Sequence, residues 1–169
     1  GLLPAGLLLQ NAPLPTTREE LCELAVLLYE KLTGLTVQPV SPNPFTDTDN
    51  VQILKAYALG ITNGTGSNTF SPNDMTNREQ VATMFSRAIK VMYPNADYST
   101  DGAPVFSDQS DISSWALAHV QFMSKNSIIL GADGKFMPRA VTQSQQQALY
   151  GTTKREEAIA IVVRIFIKY

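Results

Sequence analysis

At 169 residues, 44% of them hydrophobic and 17% charged, the chain can bury a core and is too apolar to be disordered. Its formal net charge of −2 provides no basic field for nucleic acid or an anionic membrane, and no apolar run approaches the roughly 18 residues of a membrane span. A single cysteine, Cys22, excludes an internal disulfide framework and a cysteine-rich zinc site.

The start, Gly1 to Leu9, is apolar but lacks a positively charged region and an initiating Met, so it does not read as a signal peptide. It reads instead as a chain that begins inside a repeat of a larger protein. Residues 17–33 are predicted helical: Leu21, Leu24, Ala25, Leu28 and Leu32 share one face, and Gly34 stands where such a helix stops. A proline-marked linker, 36–44, precedes a shorter helix at 48–59, which Gly60 ends. The segment 62–69 is dense in turn formers. A second long helix is expected at 77–92, with Val81, Met84, Phe85, Ala88 and Met92 inward.

The pattern then recurs. A linker at 93–104 leads to a helix at 112–125 carrying Trp115, Ala116 and Val120, and Gly131 to Gly134 makes a turn. The glutamine-rich stretch 141–150 is an insertion, and a last helix at 153–168 presents Ile159, Val162, Val163, Phe166 and Ile167. Three helix starts are nearly alike: Thr17-Arg18-Glu19-Glu20, Thr76-Asn77-Arg78-Glu79-Gln80 and Thr153-Lys154-Arg155-Glu156-Glu157. Arg18 and Arg78 are 60 residues apart, and Phe45 and Phe106, each opening a Phe-x-Asp element, are 61 apart. Such a period means one structural unit used several times.

The helix starts carry the candidate chemistry. Thr17 with Glu20 fits a capping box, and a helix N-terminus directs unpaired N–H groups and partial positive charge outward. An arginine in that turn adds a planar donor fork suited to a carboxylate, so each start reads as a small anion site on an acidic protein. The bland reading of such an arginine is a solvated residue or an ion-pair partner. Either Thr76 or Asn77 can cap the second copy. In the third, a Thr153…Glu156 box places Arg155 one position later than Arg18 in the first, about 100° around the helix. Asp47 and Asp108 read as caps of the short helices. Trp115 reads either as a stacking platform for a sugar or as a core anchor.

The unit Phe-x-Asp, short helix, glycine turn, Phe-x-Pro, Thr/Asn-rich cap, long helix resembles the S-layer homology repeat of bacterial cell-surface proteins. Phe106-x-Asp108, Trp115-Ala116, Gly131, Gly134, Phe136-x-Pro138 and Arg155-Glu156 carry the likeness in one copy. Phe45-x-Asp47, Gly60, Gly64, Phe70-x-Pro72 and Arg78 carry it in another, and Thr17-Arg18-x-Glu20 in a first copy that lacks its opening half. The resemblance implies an all-α module of three repeats, 1–35 (second half only), 36–93 and 94–169, set pseudo-threefold around a central bundle of three helices. It implies a non-catalytic anchor holding an exported protein to a secondary cell-wall polysaccharide, often pyruvylated, on a Gram-positive-type surface. The ligand-binding candidates are then Thr17, Arg18, Glu20, Asn77, Arg78, Gln80, Thr153, Arg155 and Trp115, with an anionic polysaccharide as partner. An upstream segment or partner chain is expected to cover the incomplete first repeat. The alternative is a degenerate module that keeps the fold and serves protein–protein contact or spacing.

No catalytic, metal or cofactor pattern stands beside these. His119, the lone histidine, has no ligand partners at useful spacing. Asp47-Thr48-Asp49-Asn50 fails as a calcium loop, with Val51 at position five, Gln52 at six and Ala58 at twelve. Gly64-Thr65-Gly66 lacks the setting of a dinucleotide loop, and Gly134-Lys135 is followed by Phe136, which rules out a phosphate-binding loop.

Overall fold

The computed structural model describes residues 12–169. Among these it is all-α, with helices α1 (Arg18–Thr33), α2 (Val51–Ala58), α3 (Arg78–Met92), α4 (Leu117–Lys125), α5 (Gln143–Gln147) and α6 (Arg155–Lys168), and with no strand. The loop that replaces a glycine turn ahead of α1, including Leu7 to Leu9, falls largely outside the described residues.

Local chemistry sets the boundaries. The Thr17 hydroxyl accepts the Glu20 amide while the Glu20 carboxylate accepts the Thr17 amide, a reciprocal box that starts α1. Gly34, at φ 70°, closes it by donating its N–H to the Glu30 carbonyl. Asn77 does for α3 what Thr17 does for α1, which resolves the choice between Thr76 and Asn77. Two starts fall later than the sequence suggests. α2 begins at Val51 because the Asn50 side chain accepts the Gln52 amide. α4 begins at Leu117, behind a 3-10 turn at Gln109–Asp111, because Ser113 is held elsewhere: its amide and hydroxyl both donate to the buried Glu79 carboxylate at 2.8 Å. The 141–150 insertion folds around α5, capped by Thr142 with Gln145.

The aspartates expected to cap the short helices do something else. Asp47 accepts the amides of Phe70 and Ser71, and Asp108 those of Phe136 and Met137, each at 2.8 Å. They tie the start of a repeat to its Phe-x-Pro element, and α2 is left to Asn50 for its cap. A carboxylate taking two backbone amides is stabilised in its charged form, and the Asp47 carboxyl accordingly lies below its ordinary range.

α1 packs against α2, α3 and α6, and α3 packs against α4. Leu21, Leu24 and Leu28 of α1, Phe85 of α3 and Ile165 of α6 are completely buried, and so are Phe70 and Phe136 of the two Phe-x-Pro elements. Cys22 is buried among them, and burial pushes its thiol up to about 12, so it is an inert core residue. His119 sits against the Ser86 hydroxyl at 3.0 Å, and burial lowers its pKa.

The residues just before the three long helices meet in a closed ring. Thr16 donates its amide to the Thr153 carbonyl, Thr153 to Thr76, and Thr76 to Thr16, over 2.8 to 2.9 Å. All three threonines are buried. The ring aligns Thr16, Thr76 and Thr153, and therefore Arg18, Arg78 and Arg155, as equivalent first residues of their helices. The box of α6 is correspondingly Lys154 with Glu157, the Glu157 carboxylate accepting the Lys154 amide at 2.9 Å. This corrects the expected Thr153…Glu156 box and the shifted Arg155. Lysine offers no acceptor to the helix, so α6 has only the returning half of the box.

α6 differs from its counterparts on one side. Val26 of α1 and Ser86 of α3, on the flanks covered by α2 and α4, are buried, whereas Val163, Phe166 and Ile167 of α6 are exposed.

Candidate ligand groove

Each long helix receives its first turn from the loop of another unit. The Arg18 and Glu19 amides donate to the carbonyls of Asp74 and Pro72, the Arg78 and Glu79 amides to Gly151 and Pro138, and the Arg155 and Glu156 amides to Leu14 and Ala12. With the box satisfying the cap amides, these helix ends are closed. The expectation of outward, unpaired N–H groups is therefore corrected: no backbone cradle for an anion is present at these three ends.

The arginine side chains reach the same loops. Arg18 donates through Nε to the Phe70 carbonyl at 2.9 Å and through Nη2 to the Asn63 carbonyl at 3.1 Å, with its guanidinium 4.6 Å from the Phe70 ring centre. Arg78 repeats this on Phe136 and Leu130, at 2.8 and 2.7 Å, over the Phe136 ring. Burial lowers the pKa of both, yet an arginine so bonded stays charged. Each arginine thus clamps a glycine turn to its Phe-x-Pro element while keeping one edge of its guanidinium toward a groove. Arg155 is held differently, its Nε 2.9 and 3.0 Å from the two carboxylate oxygens of Glu20.

Two grooves follow the clamps. The larger, about 410 Å³, has Arg18 and the 62–65 turn on one wall and the α3 face Gln80, Thr83, Met84 and Arg87 on the other, with Trp115 at the edge. The smaller, about 250 Å³, pairs Arg78 and Leu130 with Glu157, Ile161 and Arg164 of α6. Their electrostatics differ. Among the described residues no carboxylate lines the larger groove and Arg87 makes no ion pair. In the smaller one, Glu157 lies 3.6 Å from Arg78, and Arg164 donates to the Ile128 carbonyl.

The structure therefore brings Arg18, Gln80 and Trp115 to one groove and leaves the other candidates apart. Thr17 and Asn77 are occupied as caps, Glu20 by its box and by Arg155, and Thr153 by the threonine ring. Trp115 is not a core anchor; it is 53% exposed. Sequence reading missed Arg87, whose signal was its place at i+7 from Gln80 on one helical face.

The geometry has a counterpart in known sequences. Residues 44–82, which run from the first Phe-x-Asp element through α2, the glycine turn and Phe70-x-Pro72 into α3, match the family described as S-layer homology domain. The chain is 30% identical to an endoglucanase of Bacillus sp. (strain KSM-635) over 79% of its own length and 14% of that protein. It is 32% identical to an amylopullulanase of Thermoanaerobacterium thermosulfurigenes over 69% of its length and 6% of that protein. To the exoglucanase XynX of Acetivibrio thermocellus it is 31% identical over 40% of its length and 7% of that protein. The chain spans a small part of each of these relatives. Over residues 44–82, where Asp47 braces Phe70 and the glycine turn is held by Arg18 from outside that span, the chain matches the S-layer homology domain.

Proposed function

We propose that the chain is a non-catalytic anchor that holds an exported bacterial protein to the cell surface by binding an anionic cell-wall polysaccharide, and that the larger groove is its main site. The observation that carries this reading is the pairing of Arg18 and Arg87 across a groove with no carboxylate in its wall. Two guanidiniums there attract an acidic sugar, such as one bearing a pyruvate ketal, and Trp115 offers a ring face for the sugar. The likeness to segments of three polysaccharide-named enzymes supports the setting, since each is far longer than this chain. The closed threonine ring supports three units set pseudo-threefold, the first of them incomplete. The open side of α6 then takes a short helix from an upstream segment or partner chain. Glu156 is its anchor: the equivalent Glu19 and Glu79 hold Asn50 and Ser113 at the starts of the helices that cover α1 and α3, whereas Glu156 is exposed.

Calorimetry with purified wall polysaccharide tests the site. Arg87→Ala removes a charged donor that makes no ion pair among the described residues, and the affinity of the chain falls about tenfold to a hundredfold. Trp115→Ala weakens binding without lowering stability. A parent chain that does not bind the polymer, or an Arg87→Ala variant that binds equally well, refutes the proposal.

A further inference from the structure

The second and third units can be aligned residue by residue through their hydrogen bonds. Gly60 donates to the Tyr57 carbonyl as Ser127 does to Ser124, and Ile61 donates to Ala56 as Ile128 does to Met123. Gly60 and Ser127 share a left-handed conformation, at φ 70° and 57°. Gly64 and Gly131 occupy one place: a Cβ on either would lie 2.5 Å from a carbonyl oxygen, Thr69 or Lys135, and close against Phe45 or Phe106. Ser124 is thus the structural equivalent of Tyr57, and Phe106 of Phe45.

The consequence is a missing ring. In the second unit the Tyr57 ring stands edge-on to Phe45, with centres 5.3 Å apart and planes at 81°. In the third unit serine replaces that tyrosine, and a cavity of about 340 Å³ opens beside Phe106, walled by Pro104, Ser124, Ile129, Leu130 and Gly131. Its wall is largely apolar. Ser124 in that wall is buried, and its hydroxyl has no hydrogen-bond partner among the described residues. Leu130 and Val105 stand exposed near its rim. A buried hydroxyl without a partner beside an unfilled aromatic site is a costly arrangement for a structure that fills the same site elsewhere with its own side chain.

We infer that this cavity is a binding site for an aromatic ring delivered from outside the chain, and that its occupant is a tyrosine side chain of another polypeptide. Phe106 offers the same edge-to-face partner that Phe45 offers Tyr57. By turning about its Cα–Cβ bond, Ser124 can offer a hydrogen bond that phenylalanine cannot use and the phenol can. The site is separate from the polysaccharide groove, sharing none of its lining residues, so it does not depend on that reading.

The test titrates N-acetyltyrosine amide, with phenol and cyclohexanol as companions, into the full chain and follows amide shifts by NMR. Tyrosine amide and phenol move the Ser124, Leu130 and Gly131 signals with a Kd on the order of 1 mM, as expected of a fragment, and cyclohexanol does so at least several-fold more weakly. Ser124→Tyr fills the cavity from within, abolishes the shifts and raises the urea midpoint. Ser124→Ala keeps the cavity, removes the hydroxyl and weakens phenol several-fold while leaving the fold intact. The inference is overturned if the shifts persist in Ser124→Tyr, if cyclohexanol matches phenol, or if phenol binds and tyrosine amide does not.

Discussion

Replacing Arg18 with alanine separates its two tasks, because the side chain supports a loop as well as facing the groove. The Nε bond to Phe70 is buried and charge-assisted and contributes about 2 kcal/mol. The Nη2 bond to Asn63 is only partly buried and contributes about 1 kcal/mol, since water can replace it. The contact with the Phe70 ring adds about 0.5 kcal/mol. The sum, about 3.5 kcal/mol, corresponds to a fall of roughly 1.5–2 M in urea midpoint at an ordinary denaturant sensitivity for this size. Arg18→Lys keeps the charge, reaches one carbonyl and recovers about half of the loss. The assay is urea unfolding followed by circular dichroism, with Arg87→Ala as the comparison that leaves the midpoint in place. An Arg18→Ala variant whose midpoint moves by less than about 0.3 M refutes the clamp, and the arginine is then a ligand residue alone.

Two further outcomes are expected. Gln80→Glu keeps the capping box of α3, since glutamate fills that role in α1, but places a carboxylate in the larger groove; polysaccharide affinity drops about tenfold with an unchanged urea midpoint, measured by calorimetry and circular dichroism. Joining an upstream short helix with its own Asn or Ser cap raises the midpoint of the chain by covering Val163 and Phe166, and Glu156→Ala removes much of that gain; an unchanged midpoint on joining refutes the docking face.

The helices were legible because their signals are local. Leu21, Leu24 and Leu28 share a face, and Gly34 marks an end. The roles of the arginines were not legible, because Arg18 bonds the carbonyls of residues 52 and 45 positions away, and a backbone carbonyl leaves no trace in sequence. Asp47 is the same case in reverse: its partners are the amides of Phe70 and Ser71, so a residue that looks like a local cap is a long-range brace. The register of the third start was misread because threonine is the better cap by type. Thr153 stands before the cap, in the buried ring with Thr16 and Thr76, and the cap position falls to Lys154. Threonine is small enough to sit in that buried ring, and the helix start tolerates a lysine because the Glu157 carboxylate still takes the Lys154 amide. Trp115 is separable from the core, and Arg87 from an ordinary surface residue, only where α3 and the turn at 62–65 form two walls of one groove.

The capping boxes carry a choice that helix stability does not explain. The third residue after each cap is Glu20, Gln80 or Glu157, and each side chain returns a bond to its cap amide equally well. Each also faces the arginine of another unit. Glu20 grips Arg155 with both oxygens, Glu157 lies within 3.6 Å of Arg78, and Gln80, in the wall opposite Arg18, is neutral. The same position therefore grades the three arginines from paired to available without altering the helices that carry them. Arg87, on the same face as Gln80 and without an ion pair among the described residues, adds to the available side. An anion entering beside Arg78 or Arg155 must compete with a carboxylate already there, while one entering beside Arg18 meets no carboxylate among the described residues. Three starts alike in sequence thus give one groove without a carboxylate, the one proposed above for an acidic sugar, and the residue that distinguishes it is a glutamine whose evident task is to cap a helix.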